Sequence, residues 1–154
     1  VLATAQSAAQ FYGTWVAAEI GQAGEPGPHG LAHQQVRFLA LDGISTERTG
    51  RPILRPLPDA RPISLPEGAW LAPVESLNPD SPDFDSTFYI VFDRQGHNVR
   101  VRSLPRCTRG VVVYDRQALL DLPTDEERID FLRTEGRMIY VNRFLGTAVE
   151  GTNR

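Results

Sequence analysis

The sequence predicts an α+β fold: a long N-terminal α-helix packed on a small antiparallel β-sheet, with a proline-rich loop and one short inserted helix. Three observations predict it. Residues 1–20, VLATAQSAAQFYGTWVAAEI, place Leu2, Ala5, Ala8, Ala9, Tyr12, Trp15, Val16 and Ile20 at three- and four-residue steps, the spacing of one helical face. From residue 87 onward, β-prone runs alternate with turn chemistry. Between these regions, prolines 52, 56, 58, 62, 66, 73, 79 and 82 bar any central strand, because proline cannot donate to a ladder.

A chain of 154 residues with 41% apolar and 23% charged residues suits one soluble domain spanning residues 1–154. The net charge of −3 argues against bulk attraction to nucleic acid or anionic membrane. Cys107 is the single cysteine, so an intrachain disulfide is excluded. No run approaches the eighteen or so apolar residues of a membrane-spanning helix. The chain starts inside a helical pattern, and we expect a further segment upstream of Val1.

Taken in order, residues 1–20 form the spine helix. Its alanines favour helix, and Gly13 is a defect costing about 1 kcal/mol. Gly21, Gly24, Pro26, Gly27, Pro28 and Gly30 then end it. Residues 21–86 are loop-rich with short strands. Gln35 to Leu41 alternates as a strand before an Asp42-Gly43 turn, and edge pieces fit Ile53-Leu54 and Ala69 to Leu71. Leu57, Leu65 and Trp70 predict that the proline-rich stretch packs on the body.

Residues 87–150 read as antiparallel hairpins with an inserted helix at 125–135. Thr87 to Phe92 and His97 to Ser103 flank the turn Asp93-Arg94-Gln95-Gly96, and Gly110 to Tyr114 forms a further strand. Thr124 and Glu127 have capping-box spacing ahead of Ile129, Phe131 and Leu132. Met138 to Val141, a turn over Asn142 to Gly146, and Thr147 to Val149 complete the pattern.

The abrupt helix, the run Phe88-Tyr89-Ile90-Val91-Phe92-Asp93-Arg94-Gln95-Gly96, and the late run Met138 to Thr147 resemble the soluble part of type IV pilin-like proteins. More narrowly, the pattern is similar to minor pseudopilins of type II secretion systems and to minor pilins. That resemblance implies a non-enzymatic filament subunit involved in protein secretion, with neither catalytic residue nor cofactor. Its implied setting is the periplasm, anchored in the inner membrane by a segment upstream of Val1. Its implied partners are other pseudopilin or pilin subunits, contacted through the N-terminal helix, and the secretion machinery. A second resemblance points elsewhere. Gly13-Thr14-Trp15 is similar to the Gly-x-Trp of lipocalins, implying an eight-stranded barrel for a small ligand with its first strand starting within Phe11 to Val16.

Few constellations carry chemistry. Asp80, Asp83 and Asp85 are the candidate calcium ligands, since oxygen donors on a turning loop suit that ion. Arg94, Arg100, Arg102, Arg106 and Arg109 occur in a stretch, Arg94 to Tyr114, without an acid. They form a candidate patch for DNA or a protein partner, with Arg100 and Arg102 expected on one strand face. Pairing with the acid-rich 121–130 segment or a neighbouring subunit is the structural alternative. Cys107 sits among these arginines, whose charge favours a thiolate, although an unpaired thiol is more often a small packed side chain than a nucleophile. His29 and His33 flank Gly30 and read as exposed loop residues rather than a metal pair.

Overall fold

The computed structural model describes residues 2–27, 29–42, 52–145 and 147–151. It corrects the predicted fold class. The helix is only eleven residues, α1 (Leu2–Tyr12), and the chain is mostly sheet. Gly13 adopts φ +59°, the left-handed conformation that ends helices, and Trp15–Gln22 then runs as strand β1. The residue read as a defect inside a long helix is therefore the stop signal of a short one. The alanines beyond it serve packing. Ala17 and Ala18 are both fully buried, one on each face of the sheet.

The following strands are β2 (Gln34–Asp42), β3 (Ile53–Pro56), β4 (Ile63–Ser64), β5 (Ala69–Pro73), β6 (Phe88–Phe92), β7 (Asn98–Val99), β8 (Gly110–Asp115), β9 (Arg137–Val141) and β10 (Ala148–Glu150). Two short helices, α2 (Arg116–Leu120) and α3 (Asp125–Thr134), separate β8 from β9. The strands form two antiparallel sheets. One has the order β3-β2-β1-β6-β7 with β4 also paired to β2, and the other has the order β10-β9-β8-β5. This division differs from a single eight-stranded barrel, although Trp15 does open a strand. Phe11 and Tyr12 close α1 instead.

Several expectations survive with altered bounds. β3 and β5 are edge strands at the expected places in the proline-rich stretch. Thr124 caps α3 by accepting a 3.2 Å hydrogen bond from the Glu127 amide, and its hydroxyl donates to the Glu127 carboxylate at 3.1 Å. The strand predicted for residues 97–103 shrinks to Asn98–Val99. The helix α2 was not foreseen; Asp115 caps it through a 3.1 Å bond from the Ala118 amide. The expected turns at Gly43 and Gly146 include positions outside the described residues.

The alternation of β1, β2 and β6 sorts side chains into layers. Val16, Ala18, Ile20, Val36, Phe38, Phe88, Ile90 and Phe92 point between the sheets, where they meet Val111, Leu71, Ile139 and Val141 of the second sheet. Helix α1 joins this layer through the fully buried Ala5 and Ala9. Gln6 donates to the carbonyls of Gly96 and Leu145, and Gln10 donates to that of Gln95 at 2.9 Å. Gly96 has φ +83°, and a Cβ there would lie 2.7 Å from the Gln10 amide nitrogen. The outer face of the first sheet is covered by residues 101–107, and the outer face of the second by α2, α3 and the 3₁₀ turn Val74–Leu77.

Gln34 joins the sheets at one seam. Its buried amide donates to the Leu71 carbonyl at 3.0 Å and accepts from the Leu71 N–H at 2.7 Å. Gln34→Leu would keep the volume but leave both Leu71 groups unpaired, which costs about 1–3 kcal/mol. Urea denaturation should show a lower midpoint with an unchanged slope.

Candidate functional site

After β7 the chain leaves the ladder and crosses the outer face of the first sheet, burying Val101, Leu104 and Cys107 against Ala17, Leu39, Leu41 and Val91. It is held there by the Tyr89 N–H, which donates to the Arg106 carbonyl at 3.0 Å, and by the Thr108 N–H, which donates to the Tyr89 carbonyl at 2.9 Å. At the first of these anchors Arg106 has φ +58°. A left-handed conformation costs a residue with a Cβ roughly 1–2 kcal/mol, and such strain concentrates at functional segments.

The crossing segment and the stretch from Pro73 to Ser86 enclose a cleft of about 510 Å³, within the size range of small-molecule sites. Val101, Leu104, Pro105 and Cys107 supply its apolar lining. Arg100 bonds Glu75 at 2.8 Å and also donates to the Cys107 carbonyl at 3.3 Å. The other Glu75 oxygen accepts from the Thr108 hydroxyl at 2.6 Å. Arg106 pairs with Asp83, whose backbone carbonyl accepts from the buried Ser76 hydroxyl. Arg102 lies on the rim, exposed and without an acidic partner among the described residues.

The five candidate arginines therefore separate. Arg100, Arg102 and Arg106 converge on the cleft, whereas Arg94 and Arg109 are exposed elsewhere. Arg100 and Arg102 do not share a strand face, because β7 ends at Val99. The acids that neutralise Arg100 and Arg106 are Glu75 and Asp83, not those of residues 121–130. Asp85 faces Arg116 at 3.5 Å, and the Asp80 amide bonds Asn78. Among the described residues no three acidic, histidine or cysteine side chains are grouped to hold a metal ion. His29 is an exposed loop residue as expected, whereas His33 is half-buried.

Cys107 is a free thiol packed against the first sheet. Burial pushes its thiol pKa up, outweighing the Arg100 charge that favours the thiolate. Sequence reasoning also missed a polar row across the first sheet, where Tyr89, Glu19 and Arg37 are in register on β6, β1 and β2. Glu19 is buried; it accepts from Arg37 Nε at 2.7 Å and from the Tyr89 hydroxyl at 3.1 Å. The row is invisible while Glu19 is read as helix. An acid and a base opposite each other across a hairpin become a signal only once residues 15–22 are placed in a strand.

No protein-family model matches the chain, and no match was found among curated proteins or solved structures. Among the described residues no helix is long and apolar enough to cross a membrane.

Burial and the neighbouring Glu19 raise the Tyr89 pKa from 10.0 to about 12. A raised acid pKa means that the folded state keeps its proton where the unfolded chain has lost it, so this contribution is complete below pH 10 and disappears as pH rises through about 12. The melting temperature should fall across that window. Tyr89→Phe should flatten the fall, and an unchanged alkaline slope in this variant would contradict the assignment.

Proposed function

We propose that this protein is a non-catalytic binding domain that takes a small amphipathic carboxylate in the cleft between residues 73–86 and 100–107. The observation that carries the reading is the placement of Arg102, a guanidinium without an acidic partner among the described residues, on the rim of an apolar cleft beside two arginines already neutralised. Arg100, Arg102 and Arg106 against Glu75 and Asp83 leave one net positive charge. That balance suits a single carboxylate better than a multiply charged phosphate. The planar guanidinium offers a forked pair of donors to such a group, while Val101, Leu104 and Cys107 receive the apolar body. A binding role also fits a thiol kept protonated, since the thiolate is the nucleophile.

The filament-subunit reading rested on a helix running through residue 20 and on the hairpin runs at 88–96 and 138–147. The N-terminal segment is strand from Trp15, and the small-residue face of α1 is enclosed between the sheets, so the helix no longer supports the reading. The DNA reading depended on five clustered charges, of which two are spent in ion pairs and two lie apart from the cleft.

A ¹⁵N titration with medium-chain and aromatic carboxylates tests the proposal. The amides of Val101, Leu104 and Cys107 and the Arg102 side chain should shift together. Arg102→Ala should weaken binding about tenfold, the effect of losing one charge-assisted hydrogen bond. Equal shifts with the matching alcohols, or shifts confined to other surfaces, would overturn it.

A further inference from the structure

A sheet edge exposes unpaired backbone groups, and natural proteins block such edges. At three ends of the two sheets at least one outward backbone group is missing or already bonded, each through a different device. On β3 the outward position Pro56 has no N–H to offer. On β5 both backbone groups of Leu71 are taken by the Gln34 amide. On β7 the outward N–H of Asn98 donates to the Arg143 carbonyl at 3.2 Å.

The fourth end, β10, has no such protection among the described residues. The Asn142 N–H donates to the Thr147 carbonyl and the Gly151 N–H to the Met138 carbonyl. In an antiparallel ladder the bonded pairs alternate, so Val149 bonds inward to Tyr140. The N–H and C=O groups of Ala148 and Glu150 consequently face outward. Beside this edge Val149 is 50% exposed and its cross-strand partner Tyr140 43% exposed, on a face that α3 leaves uncovered.

We propose that β10 is a self-association edge, pairing antiparallel with β10 of a second copy about a twofold axis at Val149. This register places Ala148 opposite the partner copy's Glu150 and the reverse, forming four backbone hydrogen bonds. It sets the two valines face to face in the close, non-hydrogen-bonded pair, flanked by the two Tyr140 rings as one apolar ladder. The charge pattern suits a second copy as the occupant. Glu150 meets alanine rather than its own like charge, and it is already paired with Arg137 at 2.8 Å. The contact is isologous and closes on itself, joining two four-stranded sheets into one of eight. Strands this short make the association weak and concentration-dependent.

Sedimentation equilibrium between about 10 μM and about 1 mM, the range of a weak association, should show the mass rising from monomer towards dimer. Ala148→Pro removes one outward donor and leaves the bonds to β9 intact, so it should melt like the wild type and remain monomeric. Val149→Glu should also remain monomeric, because it opposes two carboxylates. Register is tested by oxidation: Val149→Cys should form a disulfide-linked dimer, whereas Ala148→Cys, which would face Glu150, should not. A monomeric wild type at the highest concentration overturns the proposal. So does a dimer that persists in Ala148→Pro, or equal cross-linking of the two cysteine variants, either of which would mean another surface or register.

Discussion

The structure depends on β1 being sealed on both faces. A strand in the middle of a sheet, covered above and below, must offer small or apolar side chains in both directions, and Val16, Ala17, Ala18 and Ile20 do so. The small size of Ala18 matches the close approach of α1, whose Ala5 and Ala9 share its layer. Ala17 on the opposite face lets the segment carrying Leu104 and Cys107 lie down on the sheet. Close-packed interiors tolerate little extra volume, so helix, strand and crossing segment are mutually constrained through two alanines. The only charge on the strand, Glu19, is held by partners on both neighbouring strands.

The same layer logic positions the cleft. Because residues 101–107 are anchored by their apolar side chains, the intervening arginines must turn outward, towards the stretch that continues from β5. There they meet Glu75 and Asp83. A sequence segment without acids thus becomes a site of mixed charge, and the surplus falls on Arg102. The strained backbone of Arg106 fits this geometry, since the segment turns where the Arg106 carbonyl and the Thr108 N–H bond the two backbone groups of Tyr89.

Local signals were legible wherever local chemistry decides the structure. The Thr124 cap, the turn at Asp93 to Gly96, the runs 88–92 and 110–114, and the edge status of the proline-rich strands could all be read directly. The N-terminal region was misread because alanine at three- and four-residue steps satisfies both an amphipathic helix and a strand with two buried faces; only tertiary packing separates them. Gly13 was the residue able to arbitrate, as a helix stop preceding a tryptophan. The cleft was half legible. The arginines and Asp83 were singled out, but their pairing joins segments more than twenty residues apart, and sequence spacing is silent about that. Arg100 and Arg102 were placed on a common face by a strand pattern that the burial of Val101 and Leu104 in a loop also satisfies.

The central claim is that residues 15–22 are the innermost strand of a two-sheet fold, and native-state hydrogen exchange tests it most directly. The account predicts that the amides of Ala17, Ala18 and Glu19 exchange only through global unfolding, together with those of Val91 and Leu39, their partners across the ladder. Carbon chemical shifts recorded on the same sample should be those of a strand from Trp15 onward. Helical shifts through Ile20, with protection shared by residues 2–20 as one unit, would contradict it.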